Sequence, residues 1–163
     1  MSSQTGGCLC GELRFATSSP PTRVTICHCR FCQRATGSAY LVEPIFDKAN
    51  FKLTKGKAKS YSHRSEGSGK IVYVNFCQSC GTKLYLAFER FPDVVGVYGG
   101  TFDNPNWFDR SGATTRHIFL DFAQRGTIIP AGVNTFGEHA ASTTGEQLDA
   151  KVFDHPHVVG SSG

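Results

Sequence analysis

A chain of 163 residues with 39% hydrophobic and 18% charged side chains is about one domain of globular protein, long enough to bury a core without covalent staples. No apolar run approaches the roughly 20 residues that span a bilayer, which argues against a membrane-spanning helix. The formal charge of +4, from 17 basic and 13 acidic residues, would fall to about +1 if seven thiolates held two divalent ions, too little to argue for a nucleic-acid partner.

Residues 1–7 contain neither a basic nor an apolar stretch, so no secretory signal is read there and a cytoplasmic location is the expectation. Gly6-Gly7-Cys8-Leu9-Cys10-Gly11 is a glycine-framed cysteine pair that can turn tightly. Residues 12–15 alternate polar and apolar, residues 18–21 form a turn, and residues 23–26 are a β-branched strand running into Cys27. The next stretch, Cys27-His28-Cys29-Arg30-Phe31-Cys32, predicts a knuckle followed by about one helical turn, stopped at Gly37. Residues 38–42 resume a strand that Pro44 is expected to limit.

Further strands are predicted at residues 51–54 and 58–63, followed by a flexible loop at 65–69. That loop is not a phosphate loop, because its spacing is wrong and Ile71 replaces the required hydroxyl. Residues 70–76 and 82–88 form a strand pair around Cys77-Gln78-Ser79-Cys80-Gly81, a spacing that reads as a metal knuckle with Gly81 at positive φ. Strands follow at 93–98 and 117–122. The connection at 99–108 is too rich in Gly, Asn and Pro to be regular and too aromatic to be disordered, so it is expected to be a packed functional loop. Residues 127–130 are a candidate edge strand, and residues 142–145 and 160–163 read as loop or tail. About eight short strands with almost no helix predict an all-β domain.

Seven cysteines in a chain without a visible signal point to metal rather than to disulfides. A closed zinc site takes four ligands, so seven divide into four and three. Cys8 and Cys10 can join Cys77 and Cys80, leaving Cys27, Cys29 and Cys32 as a triplet. Alternatively, Cys29 and Cys32 join Cys77 and Cys80, leaving Cys8, Cys10 and Cys27. Local closeness favours the first division, and spacing leaves both open.

Three motifs in order, Gly-Gly-Cys-x-Cys-Gly, Cys-His-Cys-x-x-Cys-x-x-x-Thr-Gly-Ser and Phe-Cys-x-x-Cys-Gly-Thr-x-Leu-Tyr, resemble the glutathione-dependent formaldehyde-activating family, which shares its domain with centromere protein V. The likeness continues through Gly100-Thr101-Phe102-Asp103-Asn104-Pro105 and His117-Ile118, covering about residues 6–122. The resemblance implies an Mss4-like, mostly antiparallel β architecture with zinc knuckles. It also implies the first division: a structural zinc at Cys8, Cys10, Cys77 and Cys80, and a second, catalytic zinc at Cys27, Cys29 and Cys32. On that basis residues 1–125 are the zinc-binding domain, and residues 126–163 are a C-terminal extension packed on it or partly flexible.

The activity implied is that of a zinc-dependent lyase of the carbon–sulfur type, using glutathione and a small electrophile such as an aldehyde. No nucleic-acid or membrane partner is expected, and the protein is expected to be a monomer or small homo-oligomer. Candidate helpers are Arg34, which can hold a glutathione carboxylate, and Thr36 and Ser38, which can bond a ligand oxygen or simply terminate the helix. His28 is predicted to point away from the metal, and His117 is either a substrate contact or a core histidine. Trp107, Phe102 and Phe108 read as core. The chain departs from the family's usual pattern at Gln124-Arg125-Gly126, where many members carry a tryptophan, and residues beyond it follow no recognised pattern. Two rival readings are a non-catalytic zinc module on the same scaffold and a redox protein cycling a Cys29–Cys32 disulfide; the latter lacks the expected βαβ context.

Overall fold

Short alternating runs become short strands, and the computed structural model, which describes residues 3–161, is mostly β with a single α-helix among those residues. Met1, Ser2, Ser162 and Gly163, read above as terminal polar segments, lie outside the described residues. In chain order the strands begin with β1 (Gln4–Gly7), β2 (Arg14–Thr17) and β3 (Arg23–Cys27), followed by α1 (Arg30–Thr36). The middle of the chain forms β4 (Leu41–Asp47), β5 (Phe51–Lys55), β6 (Lys59–Arg64), β7 (Ile71–Phe76), β8 (Lys83–Phe88) and β9 (Val94–Val97). The remainder adds β10 (Thr115–Ile118), β11 (Ile128–Ile129), β12 (Asn134–Thr135) and β13 (His157–Val158). Among the described residues no helix is long and apolar enough to cross a membrane.

The chain forms two compact units, one from Met1–Thr22 and Pro44–Phe108, the other from Arg23–Glu43 and Asp109–Gly163. In the first, β1, β2 and β5 pair antiparallel, and β6 through β9 form a meander in which each strand pairs antiparallel with the next. Phe15, Phe46, Leu84, Leu86 and Val97 are fully buried, each contributing about 1.5–3 kcal/mol on removal from water. The aromatic loop belongs to this core. Phe102 meets Phe15 edge-on at 5.1 Å and Trp107 at 5.3 Å, and Trp107 stacks over Phe46 at 6.2 Å. Arg14 pairs with Asp103, whose carboxylate also accepts from Thr5 at 2.6 Å, pinning the loop to β1 and β2.

In the second unit β10 pairs parallel with both β3 and β12. A parallel pair needs a crossover rather than a tight turn, and residues 28–114 connect β3 to β10. No hairpin reading of local sequence could produce this pairing. Val24, Ile129 and Val133 form its buried apolar centre, and β11 pairs antiparallel with β13.

Four expectations need correction. Gln4–Gly7 forms a strand although glycine and polar residues carry no strand signal, because β2 supplies a four-residue ladder for it. Helix α1 has two turns rather than one, with Cys29 as N-cap and Gly37 as a left-handed stop at φ 67°. Residues 38–40 are not in a strand, and β4 runs from Leu41 through Pro44 to Asp47. Pro44 is tolerated because the ladder with β9 begins one residue later, at Ile45. The run 117–122 is not one strand: Phe119 adopts φ 59° and ends β10, and Leu120–Phe122 make a 3-10 turn. The freed backbone is satisfied locally, with the Phe119 and Leu120 N–H groups donating to the carbonyls of Glu138 and Phe136.

Candidate functional site

The hairpin joining β7 to β8 delivers Cys77 and Cys80, and the turn after β1 delivers Cys8 and Cys10. The four sulfurs lie within 4.8 Å of one another, with Cys8–Cys10 at 3.5 Å and Cys10–Cys77 at 3.6 Å. Gly81 takes φ 75°, and its N–H closes the knuckle on the Cys77 carbonyl at 2.9 Å. The Leu13 N–H donates to Cys8 Sγ at 3.2 Å, and Thr82 Oγ1 lies 3.1 Å from Cys80 Sγ. The Thr82 contacts, side chain first and then backbone, lower the Cys80 thiol to about 5. At Cys10 a backbone hydrogen bond from Glu12 favours the thiolate, but desolvation and the three neighbouring sulfurs outweigh it and push the group to about 12. Four sulfurs this close cannot all ionise without a cation among them. The donor set therefore fits a closed, four-thiolate zinc site.

The second group lies at the end of β3 and the start of α1. Cys27 ends the strand, Cys29 caps the helix by accepting the Cys32 N–H at 3.3 Å, and Cys32 sits in the first turn. These three sulfurs also lie within 4.8 Å, and among the described residues no fourth cysteine, histidine or carboxylate joins them. Hydrogen bonds from Cys27 and Cys32 hold the Cys29 thiol down at about 3 against its burial. Cys27 and Cys32 are pushed up, chiefly by the other sulfurs. Three sulfurs this close could hold a cation, and three thiolates would leave a zinc ion one open position.

His28, between two of these sulfurs, turns into the interior. Its Nε2 lies 3.0 Å from His117 Nδ1, and both rings are buried. Burial lowers both imidazoles to about 4, so both are neutral at physiological pH. His28 Nδ1 and His117 Nε2 face no protein partner.

Gln33 ties the triplet to its surroundings. Only 4% exposed, it donates through Nε2 to the carbonyls of His28 at 2.7 Å and Phe122 at 2.9 Å. Its Oε1 accepts from Arg30 and from Gln124 Nε2, the latter at 3.1 Å. Outside it, Arg30, Gln33, Arg34, Gly37, Ser38, Ala39 and Gln124 line an open depression of about 390 Å³. Arg34 and Ser38, proposed from sequence, are therefore brought together. Thr36 is not: its hydroxyl donates to the Cys32 carbonyl at 2.8 Å and accepts the Ser38 N–H at 3.1 Å, both backbone contacts. His117 does not line the depression either.

Sequence reasoning missed Gln33, Arg30, Gln124 and Glu43. Arg30 and Arg34, four apart with no acidic residue between them, were a readable signal; Gln33 and Gln124 meet only through folding. Glu43 is a buried carboxyl whose Oε1 has no partner, and Arg23 and Arg116 each leave Nε unpartnered. Burial pushes Glu43 up to about 8, with Arg23 opposing.

A match to the family described as "Glutathione-dependent formaldehyde-activating enzyme" runs over residues 3–121, and so contains both sulfur groups. The chain belongs to that family. A relative from Halomonas elongata, described as a putative glutathione-dependent formaldehyde-activating enzyme, is 24% identical over 102 residues, which is 61% of this chain. The matched part spans 65% of that relative's length. A solved Rhodobacter sphaeroides protein is similar at 17% identity and a TM-score of 0.49, over 61% of this chain and 88% of the other.

Proposed function

We propose that this chain is a zinc-dependent enzyme joining glutathione to a small aldehyde, or breaking such an adduct, at the Cys27, Cys29 and Cys32 site. The observation that carries this reading is the three-sulfur group that no fourth ligand completes among the described residues. A zinc ion held there would lower the pKa of an incoming thiol at its open position, and with three thiolates it suits a soft ligand better than water. Cys8, Cys10, Cys77 and Cys80 would hold a second, structural zinc. In the reaction the glutathione sulfur forms a bond to the aldehyde carbon while the carbonyl π bond opens. The new hydroxyl takes the proton that the thiol lost, giving a hemithioacetal.

The chain's own residues bind and orient. Arg34 and Ser38 face the depression beside α1 and would contact glutathione, and Gln33 holds the His28 carbonyl so that the Cys27-His28-Cys29 backbone keeps its shape. His28 and His117, neutral and buried, would hold one proton between Nε2 and Nδ1 and support the knuckle from behind. The test is formation of S-hydroxymethylglutathione from labelled formaldehyde and glutathione, followed by NMR exchange rates. Acceleration by the zinc-loaded protein is expected. No acceleration with formaldehyde or larger aldehydes, together with no glutathione binding, would leave a zinc scaffold without catalysis.

A further inference from the structure

Two guanidinium groups and no carboxylate line the depression beside α1. Arg30 and Arg34 stand one turn apart on the same helix, a like-charge spacing that opposes helix formation. Arg30 also occupies the first helical position, where a cation opposes the helix dipole. A residue that works against its own helix on two counts marks a site with another purpose.

Arg30 is held in place. Gln33 has two N–H donors and two acceptor positions, and all four are engaged: the donors by the His28 and Phe122 carbonyls, the oxygen by Arg30 and Gln124. Reversing the amide would aim its oxygen at two carbonyls, so its orientation is determined. The buried Gln33 oxygen thereby fixes one edge of the Arg30 guanidinium and leaves its remaining donors for the depression. The Arg34 guanidinium, by contrast, has no hydrogen bond or ion pair among the described residues. Gln124 lies just beyond the family match at residues 3–121.

We propose that Arg30, positioned by Gln33 and Gln124, is a preorganised carboxylate anchor that selects thiols bearing a carboxylate, with Arg34 as the mobile second contact. This rests on the reading of the chain as glutathione-using and makes Arg30 rather than Arg34 the principal anchor. Preorganisation lowers the entropy lost on binding, and a planar fork matches a carboxylate through two parallel hydrogen bonds.

The test uses S-methylglutathione, whose blocked sulfur cannot ionise, titrated calorimetrically into the full-length zinc-loaded protein. Binding is expected, weakened about tenfold or more by Arg30→Gln, and by only about threefold by Arg34→Gln. Gln124→Leu, which keeps both arginines, should weaken it about threefold with zinc content unchanged. In turnover, Arg30→Gln should raise KM for glutathione while leaving KM for cysteamine, a thiol without a carboxylate, unaltered. A merely structural role would move both thiols together. No binding of S-methylglutathione to the wild type, equal binding to Arg30→Gln, or equal loss for both thiols would overturn the anchor. Arg30-dependent binding without consumption of any thiol would instead uphold the anchor and sink the proposed reaction.

Discussion

The four-sulfur group at Cys8, Cys10, Cys77 and Cys80 and the three-sulfur group at Cys27, Cys29 and Cys32 offer the same donor chemistry in different settings. The first is clamped between a turn and a hairpin of the β6–β9 meander, with backbone and hydroxyl donors on its sulfurs. The second hangs on a strand end and a seven-residue helix, backed by a buried glutamine and two neutral histidines. Four donors exhaust a tetrahedral ion and leave it structural; three donors leave it available to a ligand. What separates the two groups is the missing donor, and the helix that carries Cys32 also lines a polar depression.

The widest separation between them should come from single serine replacements. Cys80→Ser should remove one zinc equivalent and unfold the first unit, since structural zinc in small domains contributes on the order of 10 kcal/mol; loss of near-UV circular dichroism reads this. Cys29→Ser should also remove one zinc equivalent and lower turnover by about 100-fold or more, with circular dichroism retained and the melting temperature shifted by only a few degrees. Equal collapse of both variants would erase the distinction.

Glu43 offers a smaller effect confined to the second unit. Its folded-state pKa of about 8 lies above the ordinary 4.5, so the folded protein holds this proton more tightly than the unfolded chain does. Its contribution is full at low pH and declines as pH rises through this window. Glu43→Gln should therefore flatten the loss of stability between about pH 5 and pH 8, by an amount on the order of a few kcal/mol at the upper end, read by denaturant midpoints. A variant with the wild-type slope would remove Glu43 from the account.

The smallest effects concern the two turns. Gly37 at φ 67° and Gly81 at φ 75° both have open space where a Cβ would sit, so Gly37→Ala and Gly81→Ala should each cost only about 1 kcal/mol of backbone strain. A much larger loss at Gly81 would show that zinc retention depends on the knuckle's exact shape.

Much of this was legible along the chain. Alternation located the strands of the meander, the Cys77-Gln78-Ser79-Cys80-Gly81 spacing located a knuckle with positive φ at its glycine, and Gly37 marked the helix stop. Strand β10 was placed but overextended, because Phe119 reads as a strand former and its left-handed backbone is imposed by contacts with residues 136–138. Thr36 was read both as a ligand contact and as a helix-terminating residue, and its hydroxyl bonds the Cys32 carbonyl and the Ser38 N–H, while Gln33 drew no attention because a glutamine beside cysteines has no spacing rule.

The cysteine spacings, turn glycines and strand periods arise from interactions within a few residues, so the string of residues alone was enough to read them. Which four sulfurs gather was not, because Cys10 meets Cys77 across 67 positions and spacing allowed another division. Gln33 reaching Phe122, and His28 reaching His117, each span 89 positions. Those meetings follow from the parallel register of β3 with β10, in which His117 stands opposite Ile26 and Ile118 opposite Cys27. Register is set by the burial of a whole sheet face, so the surroundings of the open sulfur site exist only once that sheet has formed.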